Sequence, residues 1–328
     1  MKVLITGATG FLGGKLARRL QGMGWDVSGL GRNAETLDEL RASDIKAVQA
    51  RLEDSRAIAS ACKGQEIVFH CGALSSPWGM AKDFYNANVL GTENVIRACM
   101  DANVQRLVHV STPSIYFRFT SRLNVREDAE LPEAVNEYAR TKRLAEARID
   151  QAHADGLPVI TIRPRAIFGP GDTSILPRLI QRLESGRMRI IGDGKNITDL
   201  THVENVVDAL LCCADSHRST LGKKYNITNG EPILLWLMVE RVCDALHLKY
   251  PTRKIPYRAA HIFAGMLELI YRALPGQPEP PFTRYSVFVM AQSATLDISA
   301  ARRDLGYRPR VSIGQGVEEF MASKTQNR

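Results

Sequence analysis

The chain has 328 residues, of which 45% are hydrophobic and 24% charged, as in an ordinary globular chain of about two domains. The net charge of +8 comes from 43 basic and 35 acidic residues that are interspersed, so no basic run forms a nucleic-acid-binding arm. Six cysteines show neither a C-x-x-C pair nor the spacing of a zinc site. We therefore expect reduced thiols, no metal, no nucleic-acid partner and a cytoplasmic location.

Two features bear on membranes. The first predicted strand begins at residue 2, which leaves no room for a signal peptide. The longest apolar stretch, Ala259–Leu274, includes charged residues and is shorter than the roughly 20 apolar residues of a membrane span. We expect no transmembrane segment and ordinary burial of this stretch; a helix in peripheral contact with a membrane, or beside an apolar pocket, is the alternative.

The chain opens with a predicted strand, Val3–Ile5, a glycine turn and a helix, followed by a second strand at Asp26–Leu30. The spacing G-x-x-G-x-x-G supplies a tight turn, a close approach for a pyrophosphate and close packing of helix on sheet. The helix N-terminus then offers free N–H groups to phosphates. This context predicts a dinucleotide site made by Gly7, Thr9, Gly10, Phe11, Leu12 and Gly13.

The end of the second strand bears on the choice of cofactor. Proteins that select NAD usually carry an acid there for the ribose 2′-hydroxyl, whereas an Arg suits a 2′-phosphate. This chain reads Leu30-Gly31-Arg32 and has no acid. The sequence therefore favours NADP, with NAD as the second candidate. The alternative for Arg32 is a solvated loop charge that contacts no cofactor.

Strands and helices continue to alternate, which predicts an α/β fold with a Rossmann-like doubly wound parallel sheet over residues 1–168. The predicted elements are Lys46–Gln49 (strand), Ser55–Cys62 (helix), Glu66–Cys71 (strand), Asp83–Ala102 (helix), Arg106–Ser111 (strand), Asn136–Ala154 (helix) and Val159–Arg163 (strand, stopped by Pro164). Ligands of such sheets bind beyond the carboxyl ends of the strands.

The alternation ends beyond Asp172, where we expect residues 169–328 to form mainly a smaller, mixed substrate domain that closes over the crevice. Segments near 198–230 are expected to return to the first domain. The elements predicted here are the helices Leu176–Leu183 and Val203–Ala214 and the strands Arg189–Ile191 and Lys224–Ile227.

The sequence Tyr138-Ala-Arg-Thr-Lys142 places a phenol and an ammonium one helical turn apart on one face. A nearby positive charge lowers the pKa of a tyrosine, so Tyr138 could exchange a proton near neutrality, and Lys142 could also bond the cofactor ribose. A second match, Tyr250 to Lys254, contains a proline that disfavours a helix.

A third participant is expected among the hydroxyls after the fifth strand, where Ser111, Thr112 and Ser114 are not separable by this reasoning. Asn88 lies on the preceding predicted helix. It either braces the site or makes an ordinary helix hydrogen bond.

Six segments carry a family resemblance; in chain order they read GATGFLGG, HCGA, ANVLGTENVIRAC, VSTPSIY, YARTK and IRPRAIFGPGD. Together they resemble the extended short-chain dehydrogenase/reductase family over essentially the whole chain. PPFTRYSVF and TLDISAARRDLGYRPRVSIGQG resemble its 3β-hydroxysteroid dehydrogenase branch, which is similar to bacterial 2-alkyl-3-oxoalkanoate reductases. The resemblance implies an NAD(P)-dependent oxidoreductase with Tyr138 as acid and base, Lys142 as its partner and Thr112 as the family's hydroxyl.

The resemblance also implies further cofactor contacts, from Arg51, Leu52, Gly72, Ala73, Asn88, Pro164 and Ile167. Where relatives carry a Gly-Asp pair after the third strand, this chain has Ala50-Arg51, so Arg51 stacks on adenine, assists a 2′-phosphate or remains unengaged.

The expected reaction interconverts a secondary alcohol and a ketone on a bulky apolar substrate. The substrate residues predicted are Ser75, Trp78, Ser114 and Arg165, the last as a carboxylate clamp. A nucleotide-sugar epimerase or dehydratase with tightly bound NAD, and a non-catalytic NADP(H)-sensing protein, are the alternatives. We expect a homodimer built on the helices that flank the site.

Overall fold

A seven-stranded parallel sheet is the centre of the structure, a computed structural model that describes residues 1–326 and side chains as far as Lys324. The strands of the molecule are β1 (Lys2–Thr6), β2 (Asp26–Gly31), β3 (Lys46–Gln49), β4 (Ile67–His70), β5 (Arg106–Val110), β6 (Arg122–Val125), β7 (Val159–Pro164), β8 (Ile167–Phe168), β9 (Ile190–Ile191), β10 (Ile197–Thr198), β11 (Thr201–His202), β12 (Lys224–Ile227), β13 (Ile233–Leu234), β14 (Lys254–Ile255) and β15 (Ala294–Leu296). The central sheet has the order β12-β7-β5-β4-β1-β2-β3.

Helices cover both faces of this sheet. They are α1 (Phe11–Gly22), α2 (Ala34–Ala42), α3 (Ser55–Cys62), α4 (Ala81–Phe84), α5 (Gly91–Asp101), α6 (Glu137–Ala154), α7 (Leu176–Glu184), α8 (Val203–Asp215), α9 (Leu235–Leu246), α10 (Tyr257–Ala273), α11 (Arg284–Ala291), α12 (Ser299–Asp304) and α13 (Ile313–Gln326). Strand residues such as Val3, Leu4 and Ile5 are fully buried, as continuous apolar runs require in a sheet covered on both sides. The predicted α/β fold class is confirmed.

Most predicted elements are present, and three of them, β3, α3 and β12, have the predicted bounds. The predicted helix Asp83–Ala102 is wrong in detail, because α4 and α5 are separated by a π-helical segment, Tyr85–Leu90. The π segment coincides with a tertiary contact, since the side chain of Asn88 is bonded to the backbone of Leu74. π-Helical turns of this kind are frequent at functional sites.

A small sheet of order β13-β10-β15-β6 joins three strands of the C-terminal half to β6 of the N-terminal half, and the C-terminal half has a separate apolar core that includes Phe168, Trp236 and Phe320. Strand β12, which is not part of this small sheet, pairs in parallel with β7 and so extends the central sheet. Among the described helices, none is both long and apolar enough to cross a bilayer. The expected burial of Ala259–Leu274 is wrong, since Leu269 of α10 is 70% exposed.

A buried ion pair fastens α6 to the sheet. Arg163 on β7 donates to both carboxylate oxygens of Glu146, and the two side chains are 3% and 5% exposed. Arg163 also donates to the hydroxyl of Tyr116, which in turn donates to Asn226 of β12 at 3.1 Å. The pair therefore connects the helix that carries Tyr138 with both halves of the chain.

We predict that Glu146→Gln lowers the free energy of unfolding by about 3 kcal/mol, because it leaves the buried Arg163 cation without its counter-charge. Urea denaturation measures the change. The matched control is Glu93→Gln, which breaks an exposed pair with Arg148 and should cost less than about 1 kcal/mol. Equal losses from the two variants would contradict the prediction.

Candidate active site

The glycine turn forms a cradle with no room for side chains. A Cβ atom at Gly7 would lie 2.6 Å from the Cα of Gly72, and one at Gly13 would lie 2.2 Å from the Gly7 carbonyl oxygen. Gly7 also has φ +72°, a conformation that favours glycine. Gly10 caps α1 without a side-chain hydrogen bond, so the first turn around Phe11 is open to an anion. The turn therefore fits the pyrophosphate of a dinucleotide.

The end of β2 explains the missing acid. A Cβ atom at Gly31 would lie 2.5 Å from the side-chain oxygen of Thr9, so Thr9 occupies the space that an acidic side chain would need. Arg32 and Arg51 are exposed and follow the neighbouring strands β2 and β3, and the amide of Ala50 donates to Gly31. Arg51 lies 3.5 Å from Glu53. Arg32 and Arg51 thus lie just beyond neighbouring strands, at the edge of the sheet where the adenosine is expected.

The loop after β4 is held between the glycine turn and α6. A Cβ atom at Gly72 would contact Leu52 at 3.1 Å, and Ala73 follows directly. Asn88, which is 1% exposed, accepts from the amide of Leu74 at 2.7 Å and donates to Thr141 of α6 at 3.1 Å. Of the two interpretations of Asn88, the geometry favours the brace, because its amide is engaged on both sides.

Tyr138 and Lys142 project from α6 towards the end of β5. The helix begins at an N-cap, Asn136, whose side chain accepts from the amide of Ala139 at 2.8 Å. Lys142 is 1% exposed, and its ammonium donates to the carbonyl of Val110 at 2.8 Å and lies 3.2 Å from Nε2 of His109. Burial lowers the pKa of Lys142 to about 8.

The pKa of Tyr138 moves in the direction opposite to our expectation. Burial raises it, and hydrogen bonds with Ser75 and Thr112 partly oppose the rise. Lys142 does not lower the pKa of Tyr138 here, since its ammonium is bonded to β5 instead. A low pKa of the phenol is therefore not a property of this arrangement of the chain.

The three candidate hydroxyls after β5 have different environments. Thr112 bonds to Tyr138 and donates to Ser114 at 3.1 Å. Ser114 in turn lies 3.3 Å from the hydroxyl of Tyr285. The hydroxyl of Ser111 is buried and has no partner among the described residues. Thr112 is therefore the hydroxyl that the fold sets beside the phenol.

Tyr285, on α11, is a site residue that the sequence analysis missed. Its hydroxyl lies 3.3 Å from that of Ser114 and near the guanidinium of Arg165, so a row of polar side chains runs from Tyr138 into the C-terminal half. Arg165 is 5% exposed, packs 4.5 Å from the ring of Phe117 and donates to Thr198. The motif PPFTRYSVF contains Tyr285, but no spacing in it distinguishes this position from its neighbours.

Two buried histidines lie next to Lys142. His70 and His109 occupy the same register on β4 and β5, with ring centroids 5.7 Å apart. His70 bonds to Thr6 at 2.7 Å and to Thr92 at 3.0 Å, and burial lowers its pKa to about 3. Histidine at matching positions in two adjacent apolar strands was the signal in the sequence that could have identified this pair.

The remaining predicted residues lie around the same edge of the sheet. Pro164 ends β7, and Ile167 begins β8, which pairs with β11. Trp78 is half-buried and donates to the carbonyl of Gln277 at 2.9 Å. Arg165 is 5% exposed and its Nε has no partner among the described residues, so its role as a carboxylate clamp stays a prediction. The described residues hold no cluster of three potential metal ligands.

Comparison with known proteins agrees with this geometry. The sequence model of the NAD dependent epimerase/dehydratase family matches residues 3–228. The chain is 35% identical to the 2-alkyl-3-oxoalkanoate reductase of Stenotrophomonas maltophilia, over 98% of this chain and 99% of that protein. It is 33% identical to the decarboxylating sterol-4-alpha-carboxylate 3-dehydrogenase of Mus musculus, over 98% and 90% of the two chains.

Solved structures give the same picture of the fold. MoeE5 in complex with UDP-glucose and NAD superposes with a TM-score of 0.79 at 25% identity, covering 100% of this chain and 99% of that one. The dTDP-glucose 4,6-dehydratase DesIV of Streptomyces venezuelae, with NAD and TYD bound, has a TM-score of 0.80 at 23% identity, covering 100% and 98%.

We predict that Lys142 makes the stability of the protein depend on pH. Between about pH 8 and the higher pKa of lysine in the unfolded chain, the Lys142 amine is protonated only in the unfolded chain. The free energy of unfolding therefore rises with pH in this window. Relative to Lys142→Met, the wild-type free energy of unfolding should gain about 3 kcal/mol across this window.

Urea denaturation of both proteins at several pH values measures this difference. Lys63→Met, at an exposed lysine, controls for the loss of a surface charge. If the difference in free energy of unfolding between the wild type and Lys142→Met did not change with pH, the prediction that burial lowers the pKa of Lys142 would be wrong.

Proposed function

Because the chain belongs to the NAD dependent epimerase/dehydratase family and is an NAD(P)-dependent oxidoreductase of the ketone and alcohol type, we propose a specific reaction for it. It interconverts a secondary alcohol and a ketone on a bulky apolar substrate, with NADP(H) as the preferred cofactor and Tyr138 as proton donor and acceptor. The observation that carries the proposal is the contact of the half-buried Tyr138 with Thr112, at the edge of the sheet that also carries the glycine turn.

Tyr138 and Thr112 have separate tasks in this reaction. A bound nicotinamide would supply or accept the hydride at the carbon of the substrate. Tyr138 gives its proton to the developing alkoxide, and Thr112, once its hydroxyl turns from Ser114, donates a hydrogen bond to the same oxygen. A phenol with a raised pKa holds its proton at neutral pH, so the resting arrangement suits reduction of a ketone.

Lys142 is a positioning residue in this scheme. Its ammonium donates to the Val110 carbonyl and lies 3.2 Å from Nε2 of His109, so one of its three N–H groups is left for the cofactor ribose. Asn88 supports the arrangement, since it ties the loop after β4 to Thr141, the neighbour of Lys142. Gly7, Gly10 and Gly13 would hold the pyrophosphate, and Pro164 and Ile167 would lie towards the nicotinamide.

The names of the relatives support an apolar substrate with an oxo or hydroxyl group. One acts on 2-alkyl-3-oxoalkanoates and another on sterol-4-alpha-carboxylates, as their names state. The proposed substrate contacts are Ser75, which bonds to the phenol, and Ser114, which bonds to Thr112, with Trp78 at the edge of the loop. We also propose a homodimer through α5 and α6, where Leu90, just before α5, and Leu144 are exposed.

The test of the reaction is Tyr138→Phe. Substrates to be screened are long-chain 3-keto acids, sterol ketones and aryl ketones, with NADPH and NADH oxidation followed by absorbance. The variant should lower kcat about 10²- to 10⁴-fold on the best substrate, because the proton donor is lost. Tyr250→Phe, at the second Y-x-x-x-K sequence, is the matched control and should leave kcat unchanged; native turnover by Tyr138→Phe would refute the mechanism.

The preference for NADP should depend on Arg32. Its exposed guanidinium follows β2 without a competing acid, so it is free to pair with a 2′-phosphate. Arg32→Ala should lower kcat/KM for NADPH about tenfold and leave that for NADH nearly unchanged. Arg56→Ala, at an exposed arginine on α3, serves as control. An equal loss with both cofactors, or none, would rule out Arg32 as the selecting residue.

A further inference from the structure

Helix α10 has its apolar side chains in solvent. The exposed residues recur at helical spacing and form one uninterrupted face, made by Ala259, Ile262, Phe263, Met266, Leu269, Ile270 and Ala273. Ile262 is 64% exposed, Leu269 70% and Ile270 56%. Surface helices of globular proteins normally turn such a face to the core. A contiguous apolar face of this size marks a site of interaction.

The inward face of α10 is polar or small, and its contacts fix the orientation of the helix. Glu268 is 8% exposed and accepts hydrogen bonds from the amide and the side chain of Arg284, at 2.7 and 2.8 Å. The hydroxyl of Tyr257 donates to the carbonyl of Phe119 at 2.8 Å. Rotating the apolar face inward would break these bonds, so the exposed face is a stable feature of the fold.

The exposed charges of α10 and of the segment just before it have one sign, whereas Glu279, beyond the helix, is exposed and lies 3.4 Å from Arg178. From residue 249 to residue 274 the only acid is Glu268, which is buried and paired. The exposed charged residues in that range are all basic: Lys249, Arg253, Lys254, Arg258 and Arg272. A second copy of the chain, docked by the same face, would bring these cations against themselves. Anionic lipid headgroups above an apolar layer complement both the face and its charges.

We propose that the exposed face of α10 binds the surface of a bilayer that contains anionic lipid, with the helix lying in the plane of the headgroups. Leu274 and Phe282, each 41% exposed, continue the apolar surface beyond the helix. The C-terminal end of α10 adjoins the substrate side of the molecule, since the guanidinium of Arg272 lies 5.5 Å from the ring of Trp78. The proposal does not depend on the reaction that the site carries out.

Vesicle sedimentation tests it. The full chain is mixed with vesicles of phosphatidylcholine and phosphatidylglycerol, or of phosphatidylcholine alone. Binding should be strong only to the anionic vesicles and should fall as salt is raised. Met266→Glu and, separately, Leu269→Glu should weaken binding about tenfold, because each replaces an exposed apolar side chain that would enter the bilayer by a charge that anionic lipid repels.

Met23→Glu is the matched control, since Met23 and Met266 are both 50% exposed and Met23 lies after α1. It should bind vesicles like the wild type. Circular dichroism and thermal unfolding establish that the variants are folded. The proposal is overturned if the wild type sediments no more with vesicles than in tubes without vesicles. It is also overturned if Met266→Glu and Met23→Glu bind vesicles equally. A dimer that Met266→Glu dissociates in sedimentation velocity, without vesicle binding, would assign the face to self-association instead.

Discussion

The positive charge of Lys142 is the constraint on which the active-site end of the sheet depends. Its ammonium is almost completely buried, and the bonds that the described residues give it are to a carbonyl and an imidazole rather than to a carboxylate. Burial disfavours any second charge nearby: it lowers the pKa of His70 to about 3 and raises that of Cys71 to about 12. The site therefore holds one cation in a poorly polarisable environment, where its field acts strongly on neighbouring groups.

The position of that cation relative to the glycine cradle is set by backbone contacts. Gly7 and Gly72 approach too closely for any side chain, and Asn88 bonds the loop after Gly72 to α6. The ion pair of Arg163 and Glu146 fixes the same helix on β7. Short backbone contacts and buried charge-assisted bonds vary little in length, so the cradle and the phenol are held at a defined separation.

The sequence predicts well what local patterns determine. Strands in a sheet covered on both faces are continuous apolar runs, and β3 and β12 were located to the residue. The interruption of the helix at Asn88 was missed because it accompanies a bond to Leu74, in a loop that helix periodicity does not describe. Tyr285 was missed because its partners, Ser114 and Arg165, belong to distant parts of the chain.

The same limit applies to protonation. The spacing of Tyr138 and Lys142 correctly places both residues on one face of a helix, but spacing contains no information about burial. Burial raises the pKa of the phenol, and the carbonyl of Val110 takes the ammonium that was expected to lower it. Periodicity in α10 likewise defines an apolar face without indicating which side it turns to the protein. There the contacts of the opposite face show the orientation, since Glu268, the buried carboxylate of this helix, accepts hydrogen bonds from the amide and the side chain of Arg284 while the apolar face lies in water.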